Sequence, residues 1–394
     1  MLYLDYCATT PIHDEVIEVI SDVMRNHYGN PSSLHRLGME AEQVMDQARK
    51  DIAGVLQCKP KEIIFTSGGT ESNNLAIKGS VYARANQGKH IITSQIEHAS
   101  VYECFEQLAK QGFRVTYLPV DETGCIQLNV LEEAIGTDTI LVSLMHVNNE
   151  MGRIQPIEAF GKFLRQYPKV IFHVDAIQSL GKLPVFPKQL GADLLSISAH
   201  KLGGPKGAGL LYRRTGVELR PELAGGGQES GIRSGTENVP LIAGMAKAVQ
   251  ITMKQQAHDL AKLYELRDRL LTRIGMLADL RISGSDSKEL MAPHLIHFCY
   301  PGMRAEIVVH ALEKYDIYIS TRSACASGKI KPSHVLLAMG MNQEWAQSGL
   351  RVSYSAKQSL EEVDYFADCL RRVIEELRIP KQAYAAAKQN NRRR

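Results

Sequence analysis

The sequence predicts an α/β fold with a large, mostly parallel, doubly wound sheet covered by helices and a smaller α+β unit at the C-terminal end. Three observations carry that reading. Short β-rich runs alternate with helix-like segments from about residue 60 to 215. Those runs are almost continuously apolar, as expected of strands buried on both faces. After a long helical stretch, roughly 239–275, the rhythm changes to strand, helix, strand, helix.

Taken in order, "EIIFTS" (62–67) reads as a strand and "TESNNLAIKGSVYARA" (70–85) as a helix. "HIITS" (90–94) is the next strand and "ASVYECFEQLAKQ" (99–111) the next helix. "RVTYLPV" (114–120), "TILVSLMHV" (139–147), "VIFHVDA" (170–176), "DLLSIS" (193–198) and "GAGLLYR" (207–213) complete seven strand-like runs. This βαβ succession predicts a parallel sheet. In the smaller unit, "HLIHFCY" (294–300) and "LRVSYS" (350–355) read as strands and "RAEIVVHALEKY" (304–315) as a helix. The stretch 359–378 opens with a capping box, Ser359 with Glu362, and reads as a final helix.

The bulk numbers narrow the class. A chain of 394 residues suggests about two domains. Hydrophobic residues at 44% and charged residues at 23% are ordinary for a soluble globular protein. A net charge of +3 demands no nucleic acid, and "NNRRR" at the end reads as a solvated tail. No run is apolar enough to span a bilayer, and the N-terminus lacks a signal-peptide layout, so a cytoplasmic location is expected. The seven cysteines, Cys7, Cys58, Cys104, Cys125, Cys299, Cys325 and Cys369, are odd in number, scattered, and free of any CxxC pair. Neither a disulfide framework nor a zinc site is indicated.

Ligands of doubly wound sheets sit beyond the carboxyl ends of the strands. Five strand ends there carry chemistry. In "FTSGGTESNN" a strand runs through Ser67-Gly68-Gly69-Thr70 into a helix, which suits either a phosphate or a plain turn capped by Thr70. His98 in "QIEHAS" and Asn148-Asn149-Glu150 in "MHVNNEMG" read as structural residues or as site groups. Asp175 ends an apolar strand with Gln178 three residues on; it is a helix cap or a carboxylate holding a protonated ring nitrogen. Lys201, between Ser198-Ala199-His200 and a Gly/Pro-rich turn, follows a buried strand, where desolvation turns a lysine into a usable amine nucleophile. A phosphate seat, an aspartate, a Schiff-base lysine and a stacking histidine are the parts of a pyridoxal phosphate site.

The stretches "YLDYCATTP", "NPSSLH", "TSGGTESNN", "EHASV", "HVNNEMG", "VDAIQSLGK", "SAHKLGGPKGAG", "RSGTENV" and "SACASG" together resemble the NifS/IscS-like cysteine desulfurases, a group of the class V aminotransferase superfamily. The resemblance runs from about residue 2 to 375. It implies pyridoxal 5'-phosphate as cofactor and the PLP-dependent transferase fold type I. The large domain would span 15–255, and the small one 1–14 with 256–394. By the same resemblance Lys201 holds the cofactor as a Schiff base, Asp175 faces the pyridine nitrogen, Gln178 the ring hydroxyl, and His98 stacks on the ring. Gly69, Thr70, Ser198 and His200 form the phosphate cup, and Thr236 completes it from the neighbouring subunit of a homodimer. Asn149 and Arg351 hold the substrate carboxylate.

The implied reaction converts L-cysteine to L-alanine and leaves sulfur as a persulfide on Cys325, on a loop, for acceptor proteins such as an iron–sulfur scaffold or a tRNA- or cofactor-thiolation enzyme. No metal site built from the chain's own ligands is implied, although Cys325 would come near an iron–sulfur cluster in passing. Arg322 and Lys329 lie close to Cys325 in sequence and favour its thiolate. One departure stands out: Ser230 occupies a position where the family usually carries arginine. Cys7, also variable in the family, reads as packing. A selenocysteine lyase, another class V enzyme or a weakly active homologue acting as a binding partner are the alternatives; the lysine, aspartate, histidine and cysteine set speaks for the desulfurase.

Overall fold

The computed structural model describes residues 1–285, 287–321 and 332–391. Its strands in chain order are β1 (Leu2–Tyr3), β2 (Ile63–Thr66), β3 (His90–Ser94), β4 (Arg114–Leu118), β5 (Thr139–Met145), β6 (Ile171–Asp175), β7 (Leu194–Ser198), β8 (Gly209–Arg213), β9 (Arg281–Ile282), β10 (Leu295–Cys299), β11 (Ile317–Tyr318) and β12 (Gly349–Ser353). The helices used below are α1 (Asp14–Asn26), α2 (Arg36–Val55), α3 (Gly69–Ala83), α4 (Ala99–Lys110), α5 (Val239–Gly275), α6 (Ala305–Glu313) and α7 (Leu360–Asn391).

Seven strands form the large sheet in the order β2-β8-β7-β6-β5-β3-β4. Only β8 runs against the rest: it is antiparallel to both β2 and β7, while the other pairings are parallel. The apolar runs are buried on both faces because alternate side chains enter different cores. On β2, Ile63 and Phe65 join one cluster and Ile64 the other. On β6, Phe172 and Val174 oppose Ile171, and on β8, Leu210 and Tyr212 oppose Leu211. Helices α3 and α4 cover the second face through Leu75, Ile77, Val81, Val101 and Phe105.

A separate core holds Leu2, Leu4, Phe298, Val308, Leu350, Val352, Phe366 and Leu370. It gathers β10, β12, α6 and α7 around the first residues of the chain, since β1 pairs in parallel with β11. Helix α5 serves both cores: Ile242, Met245 and Val249 pack under the large sheet, and Leu263, Leu266, Leu270 and Ile274 in the smaller core. The capping box of α7 forms, with Ser359 N–H donating to Glu362 (2.8 Å) and Glu362 N–H to Ser359 Oγ (3.2 Å). The helix runs on to Asn391, past the 378 read from sequence.

Candidate active site

Strands β2, β3, β5, β6 and β7 point the same way, so the loops that leave their carboxyl ends meet over one edge of the sheet. One cleft there is lined by Gly69, Thr70, His98, Asn149, Asp175, Gln178, Ser198, His200, Lys201 and Arg351. Nine of these ten come from the large-sheet loops and Arg351 from β12 of the smaller core. Cys7, Ala8, Ser100, Met145, Val147 and Ile177 complete the wall.

Lys201 ends a single 3-10 turn, Ala199–Lys201, that follows β7. Its Nζ donates to the carbonyls of Cys7 and Ala8, the latter at 2.7 Å. Its own carbonyl accepts from Lys182 Nζ at 2.8 Å. Burial pushes Lys182 down to about 8. Cys7, read as packing, is buried in the cleft wall, and burial pushes its thiol up. Its backbone has a further use: Cys7 O also accepts from Gln178 Nε2 at 3.0 Å, and Cys7 N–H donates to Ser353 Oγ at 2.9 Å.

Asp175 stands at the last position of β6, 6% exposed. Its Oδ1 accepts from the Ile177 N–H (3.0 Å) and its Oδ2 from Asn73 Nδ2 (2.8 Å). No helix follows directly, so this is a turn contact rather than a helix cap. Burial pushes the carboxyl up, against the pull of His98, the two donors and Lys201. A buried carboxylate served by two neutral donors is well matched to a cation placed on its open side. A protonated pyridine nitrogen is such a cation. His98 caps α4, its Nδ1 accepting from the Ser100 N–H at 3.1 Å.

The phosphate seat is legible in the backbone. Gly68, at φ +153°, caps α3, which displaces Thr70 from the capping role into the first turn. A Cβ on Gly69 would fall 2.3 Å from Ile177 Cδ1. The fifteen-residue α3 therefore turns its first N–H groups toward the cleft with no side chain at Gly69, an arrangement suited to an anion. Ser198 is buried beside it. His200 pairs through Nδ1 with Thr9 Oγ1 (3.2 Å), and burial with Lys201 and Lys206 nearby pushes its ring down to about 4, so it is neutral at pH 7. These features fit pyridoxal phosphate: an amine, an anion seat, and a carboxylate for a ring nitrogen.

Arg351 is 1% exposed. Its Nη1 donates to Asn149 O (2.8 Å) and its Nη2 to Asp5 Oδ1 (2.8 Å), while Nε has no partner among the described residues. The cleft does not include Thr236, which is exposed just ahead of α5. Its loop is tied down by Arg233 to Glu71 (2.8 Å) and by Glu229 to Arg49 (2.7 Å). Ser230 sits in that loop with φ +59°, next to Glu229 at φ +48°. Cys325, with Arg322 and Lys329, lies outside the described residues. Sequence reasoning passed over Asn73, Ser100, Lys182 and Asp5. All four lie within the motif stretches above, but nothing local marks, for example, that Asn73 will face an aspartate 102 positions away.

The chain matches the model of the aminotransferase class-V family over residues 2–366. It is 43% identical over 378 residues to the cysteine desulfurase IscS of Dictyoglomus turgidum, covering 96% of this chain and 95% of that one. A solved NifS-like protein superposes with a TM-score of 0.89 at 38% identity, covering 95% of this chain and all of the other. A structure of SspA in complex with cysteine superposes with a TM-score of 0.79 at 35% identity, covering 91% of this chain and all of the other.

Proposed function

From the premise that the chain belongs to the class-V aminotransferase family, and within it to the pyridoxal phosphate-dependent cysteine desulfurases, we propose how its own residues divide the work. The single observation that carries the assignment is the meeting of Lys201, Asp175, the α3 N-terminus and Arg351 in one cleft. Lys201 holds the cofactor and afterwards takes the substrate's Cα proton. Asp175 faces the ring nitrogen, Gln178 the ring oxygen, and His98 the ring face. Gly69, Thr70, Ser198 and His200 receive the phosphate. Arg351, with Asn149, holds the carboxylate of L-cysteine; SspA has been solved in complex with cysteine. The chemistry pyridoxal phosphate would supply when bound is a sink for the electron pair released with the Cα proton, which would weaken the C–S bond. The Cys325 thiolate then attacks the substrate sulfur. The S–S bond forms as the C–S bond breaks, and the carbon skeleton takes up protons and leaves as L-alanine.

The persulfide passes to an acceptor protein, an iron–sulfur scaffold or a thiolation enzyme. Thr236, exposed and outside the cleft of its own chain, supports a homodimer in which it completes the neighbour's phosphate cup. The two separate cores support the division into 15–255 against 1–14 with 256–394. No described helix is long and apolar enough to cross a membrane. The free thiols of Cys7, Cys58, Cys104, Cys125, Cys299 and Cys369 support a reducing, cytoplasmic setting.

The test uses the purified, cofactor-loaded protein with L-cysteine and dithiothreitol. Alanine and sulfide form in equal amounts. Lys201→Ala abolishes the visible absorbance of lysine-bound cofactor. Cys325→Ala keeps that absorbance and loses sulfide formation by about 100-fold or more. Full activity in Cys325→Ala, or persistent absorbance in Lys201→Ala, overturns the assignment.

A further inference from the structure

Behind the cleft, four side chains form a directed hydrogen-bond chain that joins Asp175 to His98. Asn73 is fully buried on α3, and its Nδ2 lies 2.8 Å from Asp175 Oδ2 and 2.9 Å from Ser100 Oγ. Ser100 Oγ lies 2.8 Å from His98 Nδ1. The directions are fixed by chemistry. A carboxylate oxygen only accepts, so the Asn73 atom facing Asp175 is the amide nitrogen. That nitrogen has two hydrogens, and the second goes to Ser100 Oγ. Having accepted there, Ser100 donates its one hydroxyl hydrogen to His98 Nδ1.

A second contact reaches the same conclusion independently. The backbone N–H of Ser100 also points at His98 Nδ1, at 3.1 Å. A backbone N–H cannot accept, so Nδ1 must present its lone pair, and the neutral ring carries its proton on Nε2. The arrangement has a cost that marks it as selected for its orientation. Asn73 Oδ1 is buried without a partner among the described residues, a loss a folded protein rarely tolerates. Both amide hydrogens are spent on the network at the expense of the amide oxygen.

We propose that Asn73 and Ser100 are positioning residues of the desulfurase. They hold His98 in the Nε2–H tautomer, with that proton on the ring edge away from α4, and they pin Asp175 through the same amide. The proposal rests on the reading that Asp175 and His98 meet the cofactor at its ring nitrogen and ring face. Neither Asn73 nor Ser100 needs to touch the reacting atoms. They act by fixing which ring nitrogen donates and by tying the carboxylate to the histidine.

The experiment is 15N NMR of the cofactor-loaded full chain labelled in histidine, with His98 assigned by difference from His98→Gln. Wild type shows a protonated Nε2 and an unprotonated, hydrogen-bond-accepting Nδ1. Ser100→Ala keeps the backbone donor, so Nδ1 stays unprotonated, but it loses the hydroxyl and with it the tie to Asn73, so the Nδ1 shift moves as one of its two hydrogen bonds disappears. Asn73→Ala shifts the visible absorbance of the bound cofactor, because Asp175 keeps only the Ile177 N–H. Both variants lower kcat about 10-fold or more with KM within about two-fold, the scale of a misplaced acid–base group. Ser100→Thr restores the hydroxyl, the Nδ1 shift and kcat. A protonated Nδ1 in wild type overturns the proposal whatever the variants do. Unchanged NMR, absorbance and kcat in correctly folded Ser100→Ala and Asn73→Ala also overturn it. Failure of the underlying cofactor reading is separate: it appears as absorbance that survives Lys201→Ala.

Discussion

Glu229→Ala removes one half of the ion pair that anchors the loop bearing Thr236. The Glu229 side chain is 2% exposed and that of Arg49 15%. Arg49 Nη2 donates to Glu229 Oε1 at 2.7 Å, and Arg49 Nη1 to Oε2 at 2.9 Å. Oε2 also accepts from the Phe65 N–H at 3.1 Å. Without the carboxylate, Arg49 keeps the Ile63 carbonyl and the Phe65 ring, 4.7 Å from its guanidinium, and the Phe65 N–H is left unpaired. Breaking a buried pair from one side costs about 3–5 kcal/mol, and the residual exposure of Arg49 places this case near 3. The pair must also hold Glu229 and Ser230 in the left-handed region, which costs ordinary residues roughly 1–2 kcal/mol each. A loss of about 3 kcal/mol lowers Tm by roughly 6 °C at the ~2 °C per kcal/mol of larger domains. Denaturant and thermal unfolding of wild type, Glu229→Ala and the double variant Arg49→Met/Glu229→Leu provide the assay. The apolar pair should recover most of the loss, since the charges cost desolvation as well as attracting one another. A single variant within about 1 kcal/mol of wild type, or a double variant no better than the single, refutes the reasoning.

Two further predictions concern charge in the site. Burial raises Glu97 from 4.5 to about 8; its Oε1 accepts from the Met145 N–H, and its Oε2 has no partner among the described residues. A carboxyl whose folded value is raised favours the native state below its ordinary value and loses that advantage as pH rises. Unfolding free energies should therefore move in favour of Glu97→Gln between pH 4.5 and 8 and run parallel to wild type outside that window. A constant difference across the window would rule this out. Arg351→Lys loses the planar fork that reaches Asn149 O and Asp5 while facing the cleft. At about 1.5–3 kcal/mol for a charge-assisted bond, KM for L-cysteine should rise roughly 10- to 100-fold, with a smaller change in kcat, in steady-state alanine formation; an unchanged KM would remove Arg351 from the carboxylate site.

The large sheet was readable because its strands are short, apolar on both faces and bounded by turns, and because Lys201, Asp175 and His98 each close a strand end. The reversal of β8 was not readable, since its run "GAGLLYR" is a short apolar run like the parallel strands and direction is set only by the connection. Motifs supplied the residues that face the cleft, but they left open which side of a junction does the work. Thr70 looked like the cap of α3, yet Gly68 takes that place because its φ of +153° suits glycine. Asn73 was invisible for the opposite reason: it looks like any polar residue of a helix, and its importance arises only from distant partners, Asp175 on β6 and Ser100 on α4.

The N-terminal segment shows what the motif order alone conceals. Residues 5–10 touch both halves of the proposed chemistry. Thr10 N–H and Oγ1 donate to His200 O at 2.9 and 2.8 Å, and the Cys7 and Ala8 carbonyls receive Lys201 Nζ. The same segment holds β12 through Asp5 with Arg351 and through the Cys7 N–H with Ser353. The lysine from the large sheet and the arginine from the smaller core are thus placed relative to each other by one strap of backbone. That strap also constrains the lysine chemically. An ammonium has three hydrogens and can serve both carbonyls, whereas a nitrogen in Schiff-base linkage keeps one at most. Taking the cofactor therefore requires Lys201 to give up at least one of the two carbonyls. Cys7 O is the one that can be released at least cost, because Gln178 Nε2 already donates to it, so the contact to Cys7 is the one expected to break first.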